Sequence, residues 1–485
     1  MSTILSLAPQ NVWKHFYSLT QVPRPSGYLK KVQEFLLNFG KSVGVESFQD
    51  EAGNIIYRKP ATPGMENRKK VILQAHMDMV PQKNNDTVHD FENDPIETYI
   101  DGDWVKAKGT TLGADDGMGV AAIMAIMEDK TLKHGPLEAL ITADEETGMF
   151  GAFGLKPGTV DGDILLNLDS EEEGELYIGC AGGEDLTAVL EYKEVETDPA
   201  DIALKVTLKG LRGGHSGLEI NEGRANANKV LNRYLVQLMN RYDLRLCEID
   251  GGNLHNAIPR EAHAVCAVPM EYKEAVRVDL NVFLAEVENE YAVTEPKLTM
   301  ELESETPCAE VMEKEAMKRF LLSIYAVHNG VYAMSQDMPG LVETSSNLAS
   351  IKMRDGKIIV GTSQRSSILS SRKDMSQMIR AAFELGGAET TTGDGYPGWK
   401  PNPSSEILGV AVESYKRLFG VEPKIKAIHA GLECGLFLEK YPSLDMVSFG
   451  PTLRGVHSPD ERMLIPTVQK FWDHLLDILK HIPAK

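Results

Sequence analysis

Residues 70–80 read KVILQAHMDMV, and the fold is decided there. Val71, Ile72 and Leu73 form an unbroken apolar run, the pattern of a strand covered on both faces. The run stops at His76 and Asp78, so chemistry-bearing side chains stand where a buried strand meets its loop. Working outward, GMGVAAIMAIMEDKTL (117–132) is an apolar helix, GPLEALITADEE (135–146) the next strand, and DGDILLNLDSEEEG (161–174) another strand ending in acids. Upstream, in SGYLKKVQEFLLNFGKSVG (26–44), Val32, Phe35, Leu36 and Phe39 recur at helical spacing, with Ser26 placed to cap the start. Strands alternating with helices indicate an α/β domain: a mostly parallel sheet flanked by helices.

The pattern changes near residue 185. In DIALKVTLKGLRGGHSG (201–217), Ile202, Leu204, Val206 and Leu208 alternate with polar residues, as in a strand with one solvated face. The helix GRANANKVLNRYLVQLM (223–239) and the strand AHAVCAVPM (262–270) follow, and similar alternation runs from about 277 to 390. From about 394, SSEILGVAVESYKRLFG, PKIKAIHAG, LDMVSFG and VQKFWDHLLDILKHI return to alternating helix and strand. The expected organisation is one α/β domain, residues 1–184 and 394–485, interrupted by an α+β domain of two related halves, residues 185–393.

At 485 residues the chain has room for two or three domains. A net charge of −21 argues against nucleic acid or an anionic membrane as a general partner. Cys180, Cys247, Cys266, Cys308 and Cys434 are odd in number and scattered, which reads as reduced thiols in a cytoplasmic protein and not a disulfide framework. The opening MSTILSLAPQNVWKHF lacks a basic segment followed by a long apolar one, so no signal peptide is expected. No apolar run approaches membrane-spanning length.

Acids and imidazoles collect at the strand ends. His76 and Asp78 end one strand. Asp115 and Asp116 lie in TLGADDGMG (111–119), a glycine-rich turn before a helix. Asp144, Glu145 and Glu146 end the strand ITADEE, Asp169 ends ILLNLD, and His457 stands in GVHSPDE (455–461) after MVSFG. In an open α/β sheet, ligands bind beyond the carboxyl ends of the strands. Carboxylates so crowded are tolerated where a cation sits among them. Imidazoles with carboxylates suit Zn²⁺, Mn²⁺ or Co²⁺. The set exceeds the three protein ligands of a single catalytic zinc, so it points to two metals sharing a carboxylate.

The ordered set H-x-D, GADDG, EE, NLD and a late histidine resembles the M20 family of dinuclear-zinc metallopeptidases over essentially the whole chain. The resemblance implies a zinc domain split by a lid domain, with Asp115 bridging two ions. His76 and Asp169 would complete one ion, and Glu146 and His457 the other. Asp78 would orient His76, and Glu145 would be the general base. The Asp115–Asp116 peptide would be cis, and His215 in GGHSG would reach the substrate carbonyl from the lid. Asp at position 169 favours a dipeptidase. The implied activity is hydrolysis of dipeptides with broad specificity, including Xaa-His, β-Ala-His and Cys-Gly, using two Zn²⁺ that Co²⁺ or Mn²⁺ can replace. Candidate substrate contacts are Arg365 for the carboxylate, Asn256 as a hydrogen-bond partner and Gly435 for close backbone approach, while His255, His263 and His429 are read as structural. Family analogy suggests a homodimer, with a self-sufficient monomer as the alternative. Other readings are an N-acyl amino acid deacylase or tripeptidase on the same metals, a catalytically dead binding protein, and a dinuclear phosphoesterase. The filled catalytic positions and the lack of basic phosphate-binding clusters weigh against the last two.

Overall fold

The computed structural model describes residues 3–485; Met1 and Ser2, the first residues of the opening stretch read above, lie outside them. The chain forms two compact units. The first comprises residues 1–179, 401–427 and 432–485, and the second residues 180–400 and 428–431.

The first unit is α/β. Its sheet has eight strands, in the order Glu46–Gln49, Ile55–Lys59, Leu137–Thr142, Val71–His76, Ile164–Asn167, Asp445–Ser448, Glu175–Cys180 and Lys424–Ile428. The parallel pairings are central: Leu137–Thr142 with Val71–His76, Val71–His76 with Ile164–Asn167, and Ile164–Asn167 with Asp445–Ser448. Antiparallel pairings flank them. Every residue of Val71–His76, Leu137–Thr142 and Ile164–Asn167 is buried, as the unbroken apolar runs require. Register sets His76 beside Thr142, Gln74 beside Asn167, and Asn167 beside Ser448. The carboxyl ends of four strands therefore lie at one edge.

Behind them runs the helix Ala114–Glu128, buried from Asp116 to Met127. A helix apolar all round needs such an interior position. Asp115 and Asp116 depart from helical dihedrals, and the peptide between them is cis. The helical body starts after Asp116, whose Oδ1 accepts the Gly119 N–H at 3.0 Å as an N-cap.

The helix Lys30–Val43 buries Val32 and Leu36 but is capped otherwise than expected. Its N-cap is Leu29, with no side-chain bond, and the Ser26 hydroxyl instead donates to Asp78 Oδ2 at 2.8 Å. The helix starts only at Lys30, too far along the chain for the Ser26 oxygen to accept a first-turn N–H, and the hydroxyl is used as a donor to a carboxylate instead.

The second unit is α+β. A nine-stranded sheet takes the order Thr299–Glu305, Asp201–Lys209, Ala262–Pro269, Arg245–Gly251, Val342–Arg354, Lys357–Ser366, Gly182–Glu191 and Glu389–Thr392, with Gly330–Met334 on Val342–Arg354. Its pairings are antiparallel. Leu204, Val206 and Leu208 face a core shared with Val230, Leu231, Tyr234 and Leu235 of the helix Ala227–Tyr242, and with Met375, Ile379 and Phe383 of the helix Leu369–Leu385. Cys247 and Cys308 are joined in a disulfide, against the expectation of reduced thiols throughout. Topology pairs them across 61 residues, a separation that carries no local signature. Cys180, Cys266 and Cys434 are buried. Among the described residues no helix is long and apolar enough to cross a membrane.

Candidate metal centre and a cationic pocket

The acids at the sheet edge are ordered around Asp115. Its Oδ1 lies 3.0 Å from His76 Nε2, and its Oδ2 lies 3.1 Å from His457 Nε2. Asp169 Oδ1 approaches the same His76 nitrogen at 3.4 Å, and Glu146 Oε2 the same His457 nitrogen at 3.0 Å. One carboxylate is thus shared between two imidazole–carboxylate pairs. Donor atoms of His76, Asp115 and Glu146 all lie within 4.8 Å of one another. His457 adopts φ +61°, a left-handed conformation that is uncommon for non-glycine residues.

Asp78 is fully buried and organises both neighbouring turns. Its Oδ1 lies 3.4 Å from His76 Nδ1 and accepts the Glu145 N–H at 3.0 Å, while Oδ2 accepts the Glu146 N–H at 3.2 Å. Burial opposes its charge, but His76, Ser26 and the backbone donor outweigh burial and hold its carboxyl below the usual range. The acidic triplet is now accounted for. Asp144 accepts the Gly27 N–H, Glu145 and Glu146 hang from Asp78 by their amides, and Glu146 turns to His457.

The electrostatics match a cation site. Burial pushes Asp169 up to about 7, helped by Asp115, and drives Glu145 well upward, with Asp169, Glu433 and Glu146 adding to the rise. Hydrogen bonds donated to the Asp115 and Glu146 carboxylates draw His457 up to about 11. Left to themselves, these side chains balance charge in part by holding extra protons, a role that divalent cations take over in metal sites. Glu146 Oε1 is buried with no hydrogen-bond partner, a ligand atom in want of one. The donor set of imidazole and carboxylate fits Zn²⁺ and related ions.

A hydrogen-bonded row runs along the ends of the four parallel strands. Glu433 Oε2 accepts from Gln74 Nε2 at 2.6 Å and from Thr142 Oγ1 at 2.7 Å. Asn167 donates to Gln74 Oε1, Ser448 to Asn167 Oδ1, and Ser170 and Ser448 share a hydroxyl bond at 2.6 Å. Burial, with Asp169 and Asp78 nearby, lifts Glu433 to about 8. The sequence reading passed over Glu433, although it stands in the GLECG stretch that nominated Gly435. Gly435 is buried in the first turn of the helix Glu433–Lys440.

The second unit holds the remaining candidates. His215 sits in a short strand paired with Ala257–Ile258, and the Ser216 N–H donates to the Asn256 carbonyl at 2.8 Å, so His215 and Asn256 share one turn region. Asn256 is exposed. His215 Nδ1 accepts the N–H groups of Gly217 at 3.1 Å and Leu218 at 3.0 Å. Two donors onto Nδ1 leave Nε2 as the protonated nitrogen of a neutral ring. Burial and the Arg365 charge push this imidazole down to about 4.

Arg365 is 6% exposed. Its Nη1 donates to the Tyr396 hydroxyl at 3.0 Å, and its Nε is buried without a partner. A buried guanidinium held by a phenol, with no carboxylate partner among the described residues, is a cation prepared for an anion. His429, read as structural, lies in the same electrostatic neighbourhood. Its Nε2 meets Ser345 Oγ at 2.8 Å, and burial, the Arg365 charge and, once it is protonated, His215 push it down to about 3. Of the other histidines, His255 is exposed and His263 pairs with Glu248 at 3.1 Å.

Comparison with known proteins shows the family. Residues 72–481 match the sequence profile of Peptidase family M20/M25/M40. The cytosol non-specific dipeptidase of Escherichia coli K12 is 46% identical over 486 residues, covering 100% of each chain. The crystal structure of aminoacylhistidine dipeptidase from Vibrio alginolyticus superposes with a TM-score of 0.94 at 46% identity, covering 100% of this chain and 99% of that one. Aminopeptidase PepT from Bacillus cereus, at 15% identity and TM-score 0.58 over 98% of this chain and 99% of that one, shares the fold.

Proposed function

The chain belongs to Peptidase family M20/M25/M40, and from that premise we propose that it is a cytosolic dipeptidase of broad specificity, acting on aminoacyl-histidine dipeptides among others. The observation that carries this reading is the Asp115 carboxylate divided between His76 with Asp169 and His457 with Glu146. His76, Asp169 and Asp115 would hold one divalent cation, and Glu146, His457 and Asp115 a second, with zinc favoured by the donors and Co²⁺ or Mn²⁺ able to substitute. When bound, such ions polarise a carbonyl and make water acidic enough to attack near neutral pH.

The remaining steps fall to side chains. Glu145, anchored through its amide by Asp78, accepts the proton of the attacking water on a carboxylate oxygen and delivers it to the leaving nitrogen. Its neighbour Glu146 faces His457, so the two acids divide the roles of base and ligand. In the second unit, which we propose as the lid, His215 donates from Nε2–H to the carbonyl oxygen as that oxygen gains charge. Its lowered pKa supports a neutral donor. Arg365 binds the free carboxylate of the substrate, and Asn256 and Gly435 contribute polar and backbone contacts.

A substrate panel tests the reading. Dipeptides with free termini, including β-Ala-His and Cys-Gly, should be cleaved far faster than tripeptides, N-acyl amino acids or dipeptide amides. Preference for N-acyl amino acids would make it a deacylase, and equal rates on tripeptides a tripeptidase. Arg365→Met should raise KM for free dipeptides by about 10–100-fold, the loss of a charge-assisted pair, and should change little for dipeptide amides.

A further inference from the structure

Two buried residues of opposite charge grip the turn that carries Asp115, and neither stands among the candidates above. Glu461 is 2% exposed. Its Oε2 accepts the N–H groups of Leu112 at 2.7 Å and Gly113 at 3.0 Å, and its Oε1 those of Ala114 at 2.8 Å and Asp115 at 3.3 Å. Four successive amides therefore converge on one carboxylate, an arrangement that fixes the backbone of all four residues.

Arg24 is also 2% exposed. Its Nη1 donates to the carbonyls of Met77 and Asp78, both at 3.0 Å, and its Nη2 to the carbonyl of Gly113. Its own backbone continues the strap: the Met79 N–H donates to the Arg24 carbonyl at 3.1 Å, and the Ser26 N–H to the Met79 carbonyl at 3.2 Å. Arg24 stands between Pro23 and Pro25, whose rings restrict the backbone around it. The guanidinium lies in a slot that two glycines leave open. A Cβ on Gly113 would stand 2.6 Å from Nη2, and one on Gly117 would also collide with it. Gly113 has φ +69° as well, so glycine is required there twice over.

Gly113 is thus held through both its peptide groups, its N–H by Glu461 and its carbonyl by Arg24. Arg24 also holds the Met77–Asp78 turn next to His76. We propose that Arg24 and Glu461 are positioning residues, a buried clamp that sets the Asp115 carboxylate relative to His76 and Asp78 and so tunes the fit of the divalent-ion site. The inference rests on the metal reading above. Removing either member leaves the other's charge buried among backbone dipoles arranged for the pair. Glu461→Gln replaces one acceptor oxygen with a donor that faces N–H groups, and Arg24→Lys loses the fork that joins the two turns.

The test is titration of metal-stripped protein with Zn²⁺ and Co²⁺ by chelator competition, together with the visible spectrum of the Co²⁺ form. Wild-type protein should bind two ions. Glu461→Gln and Arg24→Lys should weaken binding by about 10–100-fold, as changes behind metal ligands do, and should alter the Co²⁺ spectrum. Their loss of kcat should be largely recovered at raised Co²⁺, with KM little changed. Glu461→Asp keeps the charge, gives an intermediate loss, and serves if the other variants fold poorly. Wild-type affinity and spectrum in folded variants would overturn the clamp while leaving the metal reading intact, even if their unfolding temperature fell. A wild-type protein that binds no divalent ion would overturn both.

Discussion

The acid cluster of the first unit and the pocket of the second are opposite solutions to burying charge. Around Asp115, carboxylates outnumber imidazoles, and the shortfall in positive charge is met by imidazoles drawn toward protonation and by backbone N–H groups. Around Arg365, one guanidinium meets a phenol and two imidazoles held neutral. The first is short of cations and the second short of an anion. The contrast teaches which partner each region is built for: divalent metal in one, a substrate carboxylate in the other.

Removing the shared carboxylate is the strongest way to break the contrast. Asp115→Ala should lose bound metal and turnover together, because both imidazole–carboxylate pairs meet on that group. Chelation of wild-type protein should do the same, with Zn²⁺, Co²⁺ or Mn²⁺ restoring activity. Full activity in a protein shown to be metal-free would end the reading. Glu145→Gln should separate the two properties. The amide is nearly isosteric and Glu145 is not assigned as a ligand, so metal content should stay near wild type while kcat falls by about 10²–10⁴-fold. A metal-replete variant with normal turnover would remove Glu145 from the chemistry.

How far these assignments could be read in advance depended on distance along the chain. The placement of His76, Asp78, Glu145, Glu146 and Asp169 at one sheet edge was legible because each stands at or just beyond the end of an apolar strand, the edge where an α/β sheet binds ligands. The interruption of that sheet was legible as a change from continuous to alternating apolar residues near 185. Other features left no local trace. Glu461 acts on amides 346 to 349 residues away, and Arg24 on carbonyls 53 to 89 residues away. Nothing beside either residue shows its partner. Ser26 was read as a helix cap because composition cannot show that the helix begins only at Lys30 or that the hydroxyl donates to Asp78. The Cys247–Cys308 pairing, made by topology, was missed for the same reason.

His215 sharpens the contrast from the cationic side. The ring that accepts two amides at Nδ1 is a donor without being a charge. His215→Ala should lower kcat by about 10²–10³-fold, the usual cost of an oxyanion donor, with metal content unchanged. Because its pKa is already pushed to about 4, the wild-type pH–kcat profile should show no limb near 6.5 that disappears in the variant. Unchanged kcat in a metal-replete variant would rule out the donor role.

The smallest effect concerns stability. His429 is buried and pushed down to about 3 by burial first and then by Arg365 and His215. In the unfolded chain it titrates near the ordinary histidine value of about 6.5. Above that value neither state binds the proton, and its contribution to stability is fully present. As pH falls from about 6.5 toward 3, the unfolded chain takes up a proton that the folded chain refuses, and that stability is lost. The slope is up to about 1.4 kcal/mol per pH unit for this one group. His429→Gln keeps a neutral side chain beside Ser345 and removes the titration. Denaturant unfolding of the metal-stripped proteins between pH 7 and pH 4.5 should show a variant less acid-sensitive than wild type, by about one proton. Metal-stripped protein is needed because protonation of the Asp115 cluster would otherwise release bound ions over the same range. Equal slopes would mean that His429 takes up its proton in the folded protein as readily as in the unfolded chain, and that the pocket does not hold it neutral.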